Sequence, residues 1–127
     1  WKPLFDKYNV DLVLNGHDHT YARGHVPKIY EDDIESNEIK TVYVTSVSGP
    51  KFYRLDRKQL IEGYVDDGYK SDKISHLVQF FQVIKINENK LTYVAYTATG
   101  KEYDRAVIIK DFESGEKKFY QQNEDPK

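Results

Sequence analysis

The chain has 127 residues, 39% hydrophobic and 31% charged, with 19 Lys+Arg against 21 Asp+Glu and a net charge of −2. That length can enclose one domain's core, and Leu, Ile, Val and Phe make up 33 residues, about a quarter of the chain, too many for disorder by composition. The charge balance excludes a strongly basic nucleic-acid binder, no apolar run approaches the roughly 18 residues of a membrane span, and the lack of Cys removes disulfide frameworks, thiolate metal sites and Cys nucleophiles.

The chain opens Trp1-Lys2-Pro3, with no Met and no signal peptide, so it reads as a processed product or a piece of something longer. Trp1, Leu4, Phe5 and Tyr8 fall at i, i+3, i+4, i+7, the apolar stripe of a short amphipathic helix over 1–8. At barely two turns it reads as the tail end of a longer element. Residues 10–14 form a continuous apolar run, expected as a strand buried on both faces and hence an α/β parallel strand. The pair Asn15-Gly16 ends it, and residues 17–25 read as a polar loop. Loops at the carboxyl ends of such strands are where α/β proteins keep their ligands.

Residues 28–40 are charged and weakly patterned, whereas 41–47 alternate in Val, Thr and Tyr and predict a strand ending at Ser48-Gly49-Pro50. Residues 51–75 read as a long excursion with room for a short helix near 56–63. The last third predicts a meander. A strand over 77–86 has Val78, Phe80, Ile84 and Ile86 on one face. A turn at Asn87-Glu88-Asn89-Lys90 leads to a partner strand over 91–98, a strand over 106–110 and a short edge strand over 117–121. The fold class is therefore α/β overall, α+β in this piece: one buried strand followed by a mostly antiparallel β meander. Residues 1–122 form the domain and 123–127 a loose tail.

Asn15-Gly16-His17-Asp18-His19 is the stretch that carries chemistry. Two histidines at i, i+2 on extended backbone have Cα atoms about 6.5–7 Å apart. Their imidazoles can reach one metal ion, or two ions about 3.5–4 Å apart as in two-metal hydrolytic sites. Gly16 lets the backbone bend there without a Cβ clash. Asn15 and Asp18 serve either as further ligands or as partners for the distal imidazole N–H. The same His-x-His pair also suits an ordinary solvated loop, and two imidazoles fall short of the three protein ligands a catalytic ion needs.

The run Gly16-His17-Asp18-His19-Thr20-Tyr21-Ala22-Arg23 resembles the last metal-binding motif of calcineurin-like metallophosphoesterases. It is closest to the Gly-His-x-His-x-Tyr-x-Arg form of purple acid phosphatases and their bacterial relatives. The likeness is strong over 1–25 and looser over 40–110, where Asp104 also matches near the final strand. It implies the carboxyl-terminal part of a four-layer αββα sandwich. It also implies two metal ions, Fe with Zn, Mn or Fe, and hydrolysis of phosphate monoesters through a hydroxide activated on that pair. By the same resemblance His17 is the ligand of the divalent ion and His19 of the other, ferric in purple acid phosphatases. Tyr21 and Arg23 sit where the family has residues around the ligands or on the pocket wall, although for Arg23 a plain salt bridge serves as well. His25 matches no family ligand and reads as a polar loop residue; His76 reads as structural.

The family's other ligand motifs, Asp-x-His, Gly-Asp, Gly-Asn-His-Glu/Asp and a further His, do not occur in the chain. This piece alone is thus expected to hold metal weakly and to turn over no substrate. An uncovered parallel strand over 10–14 predicts self-association. Export from the cytoplasm is implied by the resemblance alone. Two readings compete. One is a β-rich binding or accessory domain with an incidental His-x-His loop; the other is a phosphodiesterase or nucleotidase of the same superfamily.

Overall fold

Pro3 starts the helix α1 (Lys2–Lys7), where its missing N–H costs nothing. The structure is a computed structural model that describes residues 1–16, 20–28, 38–46, 70–75 and 78–121. The apolar stripe of α1 engages through one ring, Phe5 against Tyr43 at 6.2 Å, while Trp1, Leu4 and Tyr8 stay exposed. Asn9 closes the helix at φ 54°, and the Val10 N–H donates to Phe5 O at 3.0 Å. That is a Schellman close with Asn at the left-handed position, which Asn tolerates better than most residues with a Cβ.

Eight strands follow among the described residues. β1 (Leu12–Asn15), β2 (Tyr21–Pro27), β3 (Ile39–Thr45) and β4 (Lys70–Ser75) form one sheet in the spatial order β1-β3-β2-β4. β5 (Phe80–Asn87), β6 (Lys90–Thr97), β7 (Glu102–Lys110) and β8 (Lys117–Gln121) form a second sheet as an antiparallel meander. Among these strands β1 and β3 alone pair in parallel, with Leu12 opposite Val42 and Leu14 opposite Val44. The core lies between the sheets and includes Tyr21, Val42, Val44, Phe80, Tyr93, Ile108 and Phe119. The described residues are β-rich with very little helix, as expected of an α+β piece, and the closing meander is present.

Four expectations need correction. The run 10–14 is not buried on both faces: Leu12 and Val13 are half-buried and Leu14 and Asn15 exposed, because β1 is the edge strand of its sheet. It does have one parallel neighbour, β3. The polar loop ends by residue 20, since Tyr21–Pro27 is a strand lying between β3 and β4 with Tyr21 to Val26 all buried. His25 is therefore a buried strand residue. The excursion 51–75 ends in strand β4; the rest of it, with the short helix near 56–63, lies outside the described residues, as does His76. Strand β7 also begins four residues before the expected 106, and its register against β6 shifts at Ala95/Tyr96.

A buried lysine ties the sheets to the helix end. Lys117 on β8 donates from Nζ to the carbonyls of Val10 at 2.8 Å, Asn9 at 3.2 Å and Lys40. It also lies 3.2 Å from the Asp11 carboxylate, which pairs with Lys110 at 3.0 Å. Burial lowers the Lys117 pKa, and Asp11 opposes that shift.

Candidate functional site

β1 delivers the chain to the candidate motif. Asn15, its last residue, lies opposite Thr45 and is exposed. A Cβ placed on Gly16 would meet nothing within 4 Å, so lack of space does not demand glycine there. His17, Asp18 and His19 lie outside the described residues. The structure resumes at Thr20, which is buried, and β2 starts at Tyr21.

On β2 the side chains of Tyr21, Arg23 and His25 alternate onto the face that meets the second sheet. Asp104 of β7 receives the first two. Its Oδ2 accepts the Tyr21 hydroxyl and the Arg23 Nε–H, each at 2.6 Å. Its Oδ1 accepts from Arg23 Nη2 and from the Arg105 backbone N–H, each at 2.9 Å. A buried carboxylate with four donors, two of them one bidentate guanidinium, is fully satisfied. Arg23, 1% exposed, also donates to Asp72 at 3.2 Å and Gln121 at 3.0 Å. Its cation sits 5.6 Å from the Phe119 ring centroid. Burial disfavours its charge, yet Asp104 and Asp72 outweigh that and leave its pKa raised.

The network continues on both sides. His25 Nδ1 is 2.6 Å from Asp72 Oδ2, and the imidazole packs on Phe119 at 4.8 Å. The Tyr21 and Tyr93 hydroxyls are 3.1 Å apart, and the Tyr21 ring packs on Phe80 and edge-on to Tyr103. Burial first, and Asp104 second, push the Tyr21 hydroxyl pKa far above its usual value. Burial also pushes Tyr93 up to about 12, with the Tyr21 hydrogen bond working against the rise. Both stay protonated wherever the fold persists near neutrality.

The structure thus brings Tyr21 and Arg23 together on Asp104 and leaves Asn15 apart on the rim of the other edge. Asp72, Tyr93, Gln121 and His25 were missed as network members. For His25 the signal was available: Tyr21, Arg23 and His25 follow a two-residue step, the period of a strand, but with polar groups in the inward positions. Among the described residues no group of three or more His, Cys, Asp or Glu is placed to hold a metal ion. A cavity of about 1000 Å³ lies elsewhere, between the β5–β6 and β7–β8 turns beside Phe112 and Tyr120, and shares no residue with this network.

No protein-family model matches the chain, and no solved structure does. Two uncharacterized proteins, from two strains of Mycobacterium tuberculosis, are each 64% identical to it over 25 residues, 20% of this chain. The match spans 5% of the length of those relatives.

Proposed function

We propose that this chain is the carboxyl-terminal part of a binuclear-metal phosphoesterase acting on phosphate monoesters, to which His17 and His19 contribute one ligand each to two metal ions. One observation carries the reading: Tyr21 and Arg23, which close the Gly-His-x-His-x-Tyr-x-Arg run, are both held on the buried Asp104. A solvated loop has no need of Tyr and Arg at a two-residue step after its histidines. A motif that must leave a fixed strand does, because the clamp anchors the backbone within a few residues of the ligands.

The donor set defines what the chain can do alone. A catalytic ion takes at least three protein ligands. Two imidazoles, even with Asn15 and Asp18 beside them, do not complete two such sites, and the described residues add no metal-holding group. The motif and the described residues together do not fit a whole two-ion centre, so no catalytic step follows from them. In this reading the remaining ligands come from chain segments outside this sequence.

Titration with zinc and manganese, followed by calorimetry and metal analysis after desalting, tests the proposal. Weak uptake that disappears in the double variant His17→Ala, His19→Ala supports it. Hydrolysis of an aryl phosphate by this chain should stay at the metal-only background. Equal metal content in the double variant, with its fold intact, would overturn the ligand assignment and favour a β-rich binding module. Metal-dependent turnover by this chain would overturn the incomplete-site reading.

A further inference from the structure

We propose that β5 is the contact strand of a homodimer, pairing antiparallel with β5 of a second copy about a two-fold axis at Val83. The two sheets present four edges, and three are poorly suited to a partner. β1 is four residues long. β4 carries a register shift against β2 at Arg23/Gly24 and gives Asp72 to the buried network. The edge of β8 already faces the start of β3, through the Glu38–Lys118 bridge and the Lys117 ammonium on Lys40 O. β5 differs in each respect. It runs eight residues with an unbroken register against β6, and no other described strand lies beyond it.

Its composition lacks the usual protection. Edge strands are normally blunted by proline, bulges or charge. β5 has no proline and one charge, Lys85, while Phe81, Val83, Ile84 and Ile86 are 44%, 36%, 37% and 73% exposed. These four divide between the two faces of the strand, so a single covering layer could not shield them. A strand added at the edge flanks both faces at once.

The strand's own sequence argues for a second copy as that partner. The two-residue turn at Glu88 and Asn89 makes Asn87 and Lys90 the closing pair of the hairpin. Alternate residues Phe80, Gln82, Ile84 and Ile86 then turn their backbone groups to the free edge. An axis at Val83 joins these groups to one another. It sets Phe80 of one copy against Ile86 of the other, Gln82 against Ile84, and Val83 against itself. Lys85 then meets Phe81, ammonium against ring. Moving the axis to Lys85 would oppose two like charges, and moving it to Ile84 would set Glu88 against Phe80. The proposal stands apart from the metal reading.

Sedimentation velocity over about a hundredfold range of concentration, with hydrogen exchange across β5, is the test. The chain should show a monomer–dimer equilibrium, with residues 80–86 exchanging more slowly as the dimer forms. Val83→Lys and Val83→Glu should each weaken the dimer by at least about tenfold, and their mixture should restore it. As a second pair, Phe81→Glu should tighten the dimer by facing Lys85 and Phe81→Lys should loosen it. A monomer at every concentration overturns the proposal. So do Val83 variants that associate like the parent, a mixture that stays monomeric, or a dimer with unchanged exchange in β5, which would place the contact elsewhere.

Discussion

Replacing Asp104 with alanine probes the centre of the fold. The substitution strands the Arg23 cation and the Tyr21 hydroxyl between the sheets, and leaves the Arg105 N–H without its carboxylate. Removing one partner of a buried charge pair costs about 3–5 kcal/mol. Asp72 still accepts from Arg23 Nη1 and Gln121 from Nη2, which favours the lower end, about 3 kcal/mol. A domain's whole stability is roughly 5–15 kcal/mol, so Asp104→Ala should sit near the edge of unfolding. Asp104→Asn keeps the shape, but either amide orientation turns an NH2 toward two donors, a loss of about 2–3 kcal/mol. The exposed pair Arg105–Glu102 serves as the control, since Glu102→Ala should change stability by no more than about 0.5 kcal/mol. Urea unfolding followed by circular dichroism gives each value, and an unchanged denaturant slope certifies the comparison. A cost below about 1 kcal/mol for Asp104→Ala, with the native spectrum kept, would refute the buried four-donor clamp.

Two further predictions concern pH. Folded Tyr93 has its pKa raised to about 12 and Tyr21 is raised further, while unfolded tyrosine titrates at its ordinary value of 10.0. The folded state therefore holds these protons more tightly, and their contribution is whole below pH 10 and lost as pH rises toward 12. Tyrosinate absorbance should show Tyr21 and Tyr93 ionising only with unfolding, and their ionisation ahead of unfolding would contradict this. Lys117 has the opposite sign: its pKa is lowered from 10.5 by burial, so the folded state gains stability as pH rises from the depressed value toward 10.5. Lys117→Met should lose that rise and cost about 1–3 kcal/mol at neutral pH by orphaning three carbonyls. A variant as stable as the parent, with the same pH profile, would count against the buried ammonium.

What the sequence made legible follows from which groups hold each element. The meander from β5 to β8 could be read because apolar alternation and turn residues coincide there, as at Asn87-Glu88-Asn89-Lys90. β2 was hidden because its inward residues are Tyr21, Arg23 and His25, whose burial depends on partners 47 to 83 positions away. Hydrophobic periodicity is blind to a polar group whose carboxylate arrives from another sheet. The burial of 10–14 was overread for the converse reason: an apolar run reports what could be covered, and β1 stands at an edge.

The clamp also gives the motif's spacing a physical reading. Positions 17, 19, 21, 23 and 25 share one parity, and the last three are the inward face of β2. Asp104 holds 21 and 23, and Asp72 holds 25 and shares 23. The tyrosine and arginine thus spend their polar groups inside the protein; His17 and His19 lie outside the described residues. Under the proposed function, the run Gly16 to Arg23 divides into an anchoring half, Tyr21 and Arg23, and a ligating half, His17 and His19. Substitutions in the first should be read in stability, and those in the second in metal affinity. Arg23→Lys is the sharpest case, because a single ammonium cannot span both Asp104 oxygens while reaching Asp72 and Gln121. It should lower stability by an amount comparable with Asp104→Asn. Metal uptake should then decline only as the folded fraction declines. A selective loss of metal at full stability would instead place the Arg23 side chain at the ions.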